Sequence, residues 1–123
     1  MSNDLIKKYD LEERTIKFGE NSIEILKKVP KNEITRPIIT QLAKCTTSVG
    51  ANYCEADDAE SSKDFCHKIG ICKKESRESK YFFRILAKAL PELRDEIVVL
   101  WKEAQELNLI FNSIYKKVRE KQR

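Results

Sequence analysis

At 123 residues, the chain is long enough for one cooperative core and too short for two, and a single domain over residues 1–123 is expected. With 36% charged residues but only three glycines and three prolines, the composition suits long helices better than sheets. The net charge of +4 permits a nucleic-acid partner without requiring one.

No run approaches the roughly 18 apolar residues of a membrane span, so no membrane partner is expected. The opening stretch MSNDLIKKYD is too polar for a signal peptide, which points to the cytoplasm. Cys45, Cys54, Cys66 and Cys72 lack metal-ligand spacing and read as reduced thiols used as small hydrophobes.

Four helices follow in chain order. The first is expected over about 11–29, with Asp10 and Glu13 forming an acidic analogue of a capping box. Its seam is Leu11, Thr15, Phe18, Ser22, Ile25 and Val29, with Ile16, Ile23 and Leu26 widening the apolar face. The second, about 36–56, is capped by Thr35 and shows Ile38, Leu42, Cys45, Val49, Asn52 and Ala56. The third, about 62–89, begins with a Ser61/Asp64 box and shows Phe65, Ile69, Cys72, Ser76, Ser79, Phe83, Leu86 and Leu90. The fourth, about 91–119, opens on Pro91 and shows Leu93, Ile97, Leu100, Ala104, Leu107, Phe111, Ile114 and Val118. Steps of four and three alternate along these rows, which is the packing period of bundles. Short joints between long helices predict an all-α, antiparallel up-down-up-down four-helix bundle. Gly19, Gly50 and Gly70 each follow a seam residue, so either close helix approach or plain tolerance explains them.

The segments QLAKCTTSVGANYCEADDAESSKDF and KIGICKKESRESKYFFRIL carry fixed residues at fixed spacing: Gln41-Leu42, Ser48, Asn52, Glu55, Ser61, Asp64-Phe65, Lys74-Glu75, Glu78 and Tyr81. In these the chain closely resembles the four-helix-bundle family encoded by intervening sequences of bacterial 23S ribosomal RNA genes. That family is related to the accessory variability determinant of diversity-generating retroelements. The match covers the second and third helices, and the acidic turn EADDAE departs from the small or glycine-containing turn of many relatives. The resemblance implies a homo-oligomer, commonly a pentamer. Binding of RNA or DNA, and of a reverse transcriptase, is implied for the retroelement-associated members, whereas for the rRNA-insert branch the resemblance implies the fold more firmly than a function.

Asn52 falls on a seam, where an unbonded amide would cost several kcal/mol. Ser76 and Ser79 face it on the third helix, so Asn52 reads as a pin that fixes the alignment of the second and third helices. Glu55, one turn on, is placed to meet the N-terminal amides of the third helix. A polar binding pocket is the alternative for this group.

From Lys63 to Lys88 there are eight Lys or Arg against three acids, a net of +5 that exceeds the whole chain's charge. Lys73, Arg77, Lys80, Arg84 and Lys88 form one stripe, with Lys74 and the stacking candidate Tyr81 beside it. Glu75 and Glu78 are placed to neutralise part of it as intrahelical pairs. Off the seam, Ile71, Phe82, Ile85 and Ala89, with Trp101, Ile110 and Ile16, form a second apolar face. It serves either an oligomer interface or a wider core.

Chemistry is sparse. His67 is the only histidine, and Asp64-x-x-His67 is one half of what a di-iron bundle needs. Glu55, Asp57, Asp58 and Glu60 lack the spacing of a calcium loop and read as a solvated turn. No catalytic residue, cofactor or metal is expected. Two readings remain: a non-enzymatic, oligomeric nucleic-acid binder using the third helix, and a protein–protein scaffold on which the stripe is only a solvated face.

Overall fold

The computed structural model describes residues 10–122, and most of the opening stretch read above lies outside them. The described residues form α1 (Leu11–Lys28), α2 (Thr35–Asp57), α3 (Ser62–Ala89) and α4 (Arg94–Lys121), with a 3-10 turn Pro91–Leu93 leading into α4. Each helix runs antiparallel to the next. Gly50 of α2 lies beside Thr15 of α1, Cys45 of α2 beside Ser79 of α3, and Gln122, just past α4, beside Ser62 of α3. The result is an up-down-up-down four-helix bundle. Among the described residues, no helix is long and apolar enough to cross a membrane.

Local chemistry sets the helix ends. Val29 is extended, as a residue before proline tends to be, and this ends α1 at Lys28. Asp10 takes a left-handed backbone (φ 42°) and its carboxylate caps nothing, so the expected box at α1 does not form. At α2 the capping oxygen is Asn32 Oδ1, which accepts the N–H groups of Ile34 and Thr35 at 2.9 and 3.0 Å. Thr35 becomes the first helical residue, and its hydroxyl donates to Pro30 O at 2.6 Å. Ser61 Oγ accepts the Asp64 N–H at 3.0 Å and starts α3.

The seams meet in one core. All six seam residues of α1 are buried, as are Ile69, Cys72, Ser76, Ser79, Phe83 and Leu86 of α3 and Ile97 to Ile114 of α4 at seam spacing. Aromatic rings cross both diagonals. Phe18 meets Phe83 edge-on at 6.3 Å, and Tyr53 meets Phe111 at 6.0 Å. The α1–α4 side is closed by Arg14, whose guanidinium forks onto Glu103 at 3.0 and 2.7 Å and reaches Glu106 at 3.1 Å. These carboxylates, Glu103 foremost, raise the Arg14 pKa and keep it charged.

Most buried hydroxyls are satisfied along their own helices: Thr15 donates to Leu11 O, Ser22 to Phe18 O and Thr46 to Leu42 O, while Ser79 shares its one proton between Glu75 O and Cys45 Sγ of α2. Among the described residues no buried side-chain N or O lacks a partner.

Asn52 behaves differently from the sequence reading. It is half-buried, and its Nδ2 donates to Ser48 O and Ser48 Oγ, both at 2.9 Å on its own helix. A straight helix drifts about 20° per heptad against a 3.5-residue repeat, and by this point Tyr53 has taken the inward position. The amide that crosses between helices is Asn108 of α4, which donates to Lys73 O at 2.8 Å and to Ser76 Oγ at 3.2 Å on α3. Glu55 also pairs elsewhere, with Lys68 at 3.1 Å, because Ser61 already serves the start of α3. Asn108→Ala is expected to cost about 1–3 kcal/mol in urea denaturation, the range for losing a buried hydrogen-bond partner, and Asn52→Ala distinctly less.

The glycines divide. A Cβ on Gly50 would come within 3.3 Å of Thr15 Cβ and Oγ1, so this glycine allows the α1–α2 approach. A Cβ on Gly19 would meet nothing nearer than 3.8 Å. Gly19→Ala is therefore expected to raise stability by up to about 1 kcal/mol, the helix-propensity difference. Gly50→Ala gains nothing by the same denaturation measurement.

Burial pushes the Cys72 thiol from 9.0 up to about 12 and the Cys45 thiol from 9.0 up to about 11, the latter partly offset by the Ser79 hydroxyl on its sulfur. Folding favours the protonated thiols, so their contribution is intact below about pH 9 and is lost as pH climbs through that window to about 11 and 12. The denaturant midpoint is expected to fall above pH 9, and to fall less in Cys72→Ala.

Candidate nucleic-acid interface

With Ser76, Ser79 and Phe83 turned inward, helical geometry turns Lys74, Arg77, Tyr81, Arg84 and Lys88 to solvent. Lys73 and Lys80 are half-buried and lean toward α4. The Lys73 ammonium lies 4.7 Å from the Tyr115 ring centroid, and that of Lys80 lies 5.9 Å from the Trp101 ring. Lys68 pairs with Glu55, but Lys73, Lys74, Arg77, Lys80, Arg84 and Lys88 make no ion pair among the described residues.

Glu75 and Glu78 thus leave the stripe unneutralised by direct contact. Glu75 is half-buried and its pKa is raised, first by desolvation and then by Glu78, with Lys74 as the weaker opposing influence. Glu78 is half-buried and shares a groove with three of the cations, without an ion pair to any of them.

A groove of about 450 Å³ runs along the stripe. Its walls include Lys73, Lys74, Arg77 and Tyr81 from α3 and Tyr115 from α4, with one carboxylate, Glu78. Gly70 lines it too, and a Cβ there would stand 3.2 Å from the Tyr115 ring. Arg119 Nη1 donates to Tyr115 Oη at 2.7 Å and so steadies the ring. Tyr81 is 61% exposed and rests edge-on against Phe82 at 5.1 Å. The arrangement offers cations and two aromatic faces along one channel, a combination suited to phosphates and bases. Tyr115 and Arg119 were not singled out in the sequence, because they lie on another helix.

A family model described as 23S rRNA-intervening sequence protein matches residues 7–113. The chain belongs to this family. A similar solved structure is that of a protein of unknown function from the S23 ribosomal protein family of Bacteroides thetaiotaomicron VPI-5482. It is 25% identical, with a TM-score of 0.78 over 86% of this chain and 98% of that one. Comparison with curated proteins finds no match.

In this 23S rRNA-intervening sequence protein the second apolar face is partly absorbed by its own bundle. Phe82, Trp101 and Ile110 are half-buried against the core, and Ile71 is half-buried. Ile85 is 41% exposed, and Ile16 and Ala89 are also exposed. Two further apolar residues on α4 stand well clear, Val99 at 66% and Leu109 at 59%. His67 is exposed, Asp64 begins α3, and the four cysteines are free. Among the described residues no group of three or more His, Cys, Asp or Glu side chains is placed to hold a metal.

Proposed function

We propose that this 23S rRNA-intervening sequence protein is a non-enzymatic, homo-oligomeric bundle that binds RNA or DNA through α3 and the adjoining edge of α4. One observation carries the reading. Six cations from Lys73 to Lys88 make no ion pair among the described residues, and three of them, Lys73, Lys74 and Arg77, line one groove with Tyr81 and Tyr115. Charges left without carboxylate partners are available to phosphates, and phosphate contacts hold a strand without reading its sequence. Ile71 and Ile85 on α3, with Val99 and Leu109 on α4, supply apolar surface for self-association. Repeating the stripe over several copies would multiply its field.

Binding to structured RNA and to duplex DNA, titrated across salt concentration, tests the proposal. Affinity is expected to fall log-linearly, with a slope of roughly 0.7–0.9 per phosphate engaged. Arg77→Glu combined with Lys80→Glu is expected to flatten that slope, with an unchanged helical circular dichroism spectrum. Sedimentation is expected to give a mass of two or more chains, and a single-chain mass would overturn the homo-oligomer. Absent or salt-independent binding would instead favour a protein–protein scaffold, for which the outward Val99 and Leu109 are the supporting feature.

A further inference from the structure

Where α3 ends and α4 begins, the two helices leave a groove of about 620 Å³, within the size range of small-molecule sites. Its apolar lining comes from Phe83 and Ala87 of α3 and from Val98 and Trp101 of α4. Its charged lining is of one sign: Arg84, Lys88 and Arg94, with no carboxylate. Arg94 has only a loose contact, 3.9 Å to the fully exposed Asp95, and neither Arg84 nor Lys88 makes an ion pair among the described residues. An apolar slot ringed by cations fits a flat, apolar-faced group that carries negative charge at its edge.

We infer that this groove receives an unpaired nucleobase stacked on Trp101, with its flanking phosphates on Arg84, Lys88 and Arg94. The strand is therefore single where it crosses the α3–α4 joint. This rests on the phosphate-binding reading of α3 and adds the kind of nucleic acid to it. Continuity favours a strand as the occupant. Arg84 belongs to both stripe and groove, and Lys80 of the stripe sits 5.9 Å from the Trp101 ring. A backbone following the stripe arrives at the indole with its next base in reach. A base inside a duplex stays stacked between its neighbours and cannot enter.

Trp101 is the only tryptophan, so its fluorescence reports on this groove alone. The probes are a short oligoadenylate strand and a duplex of the same length, added to the full chain. The strand is expected to quench Trp101 emission, and the duplex to bind without quenching. Stacking on one aromatic residue is worth a loss of about ten-fold in strand affinity on Trp101→Leu, followed with an end-labelled strand. Duplex affinity should fall far less, by no more than the loss of the ring beside Lys80 entails. Because Trp101 also touches the core, Arg94→Ser provides a second variant. It alters an exposed residue outside the stripe and is expected to weaken strand binding several-fold while sparing the duplex. A strand that binds without quenching, and equally well to both variants, overturns the base pocket and leaves the stripe reading standing. If neither strand nor duplex binds, the stripe reading fails, and the pocket with it.

Discussion

The hydrogen bonds from Asn108 to Lys73 O and Ser76 Oγ set the alignment on which the candidate surface depends. An amide in a buried seam must find partners, and these partners exist at one axial offset of α4 against α3. At that offset Tyr115, two turns beyond Asn108, comes over Gly70 and beside Lys73. Trp101, two turns before it, comes beside Lys80. A slip of one turn would part both aromatic rings from their cations. The polar contact thus acts less as a source of stability than as a selector among similar apolar packings, the role best attested for seam amides.

The remaining buried polar groups place little constraint on how α4 lies against α3. Thr15, Ser22 and Thr46 each turn a hydroxyl back to a carbonyl four residues earlier. They are satisfied before any second helix arrives. Their value lies in small size, since a seam of Thr, Ser, Cys, Ala and Gly brings backbones close. The cost of that economy appears at the α1–α4 edge, where a forked Arg14–Glu103 contact holds the two helices across a part-exposed groove. Polar side chains that bond locally pack helices together. Those that bond across helices decide how they line up.

This difference explains what the sequence could reveal. Apolar periodicity states which face of each helix turns inward, and the α1 and α3 seams are buried almost residue for residue. It is silent on axial offset. Asn52 and Asn108 look alike as letters near a seam, and only the accumulated rotation of a 3.6-residue helix separates the half-buried one from the buried one. Asn32 was hidden at α2 because Thr35, the more evident capping residue, follows it by one turn. The basic stripe was legible because its members lie on one helix. Tyr115, Arg119 and Arg94 were not, because their nearness to the stripe comes from antiparallel pairing over long chain separation.

The charge on α3 has an energetic consequence within the protein itself. Lysines and arginines three and four residues apart repel, at a few tenths of a kcal/mol per pair on a helix. Acids at this spacing would relieve the strain, yet Glu75 is partly desolvated and neither it nor Glu78 forms an ion pair among the described residues. The helix is therefore held against its own repulsion by the core residues beneath it, Cys72, Ser76, Ser79 and Phe83. Any polyanion lying along that face removes repulsion as well as adding attraction. Its binding must then be linked to the stability of the α3–α4 pair, because a ligand that prefers the folded face shifts the folding equilibrium toward it. The same repulsion that makes the stripe costly in an isolated bundle would be relieved by any anion bound along it. The Asn108 contact holds the two helices in alignment beneath that charged face.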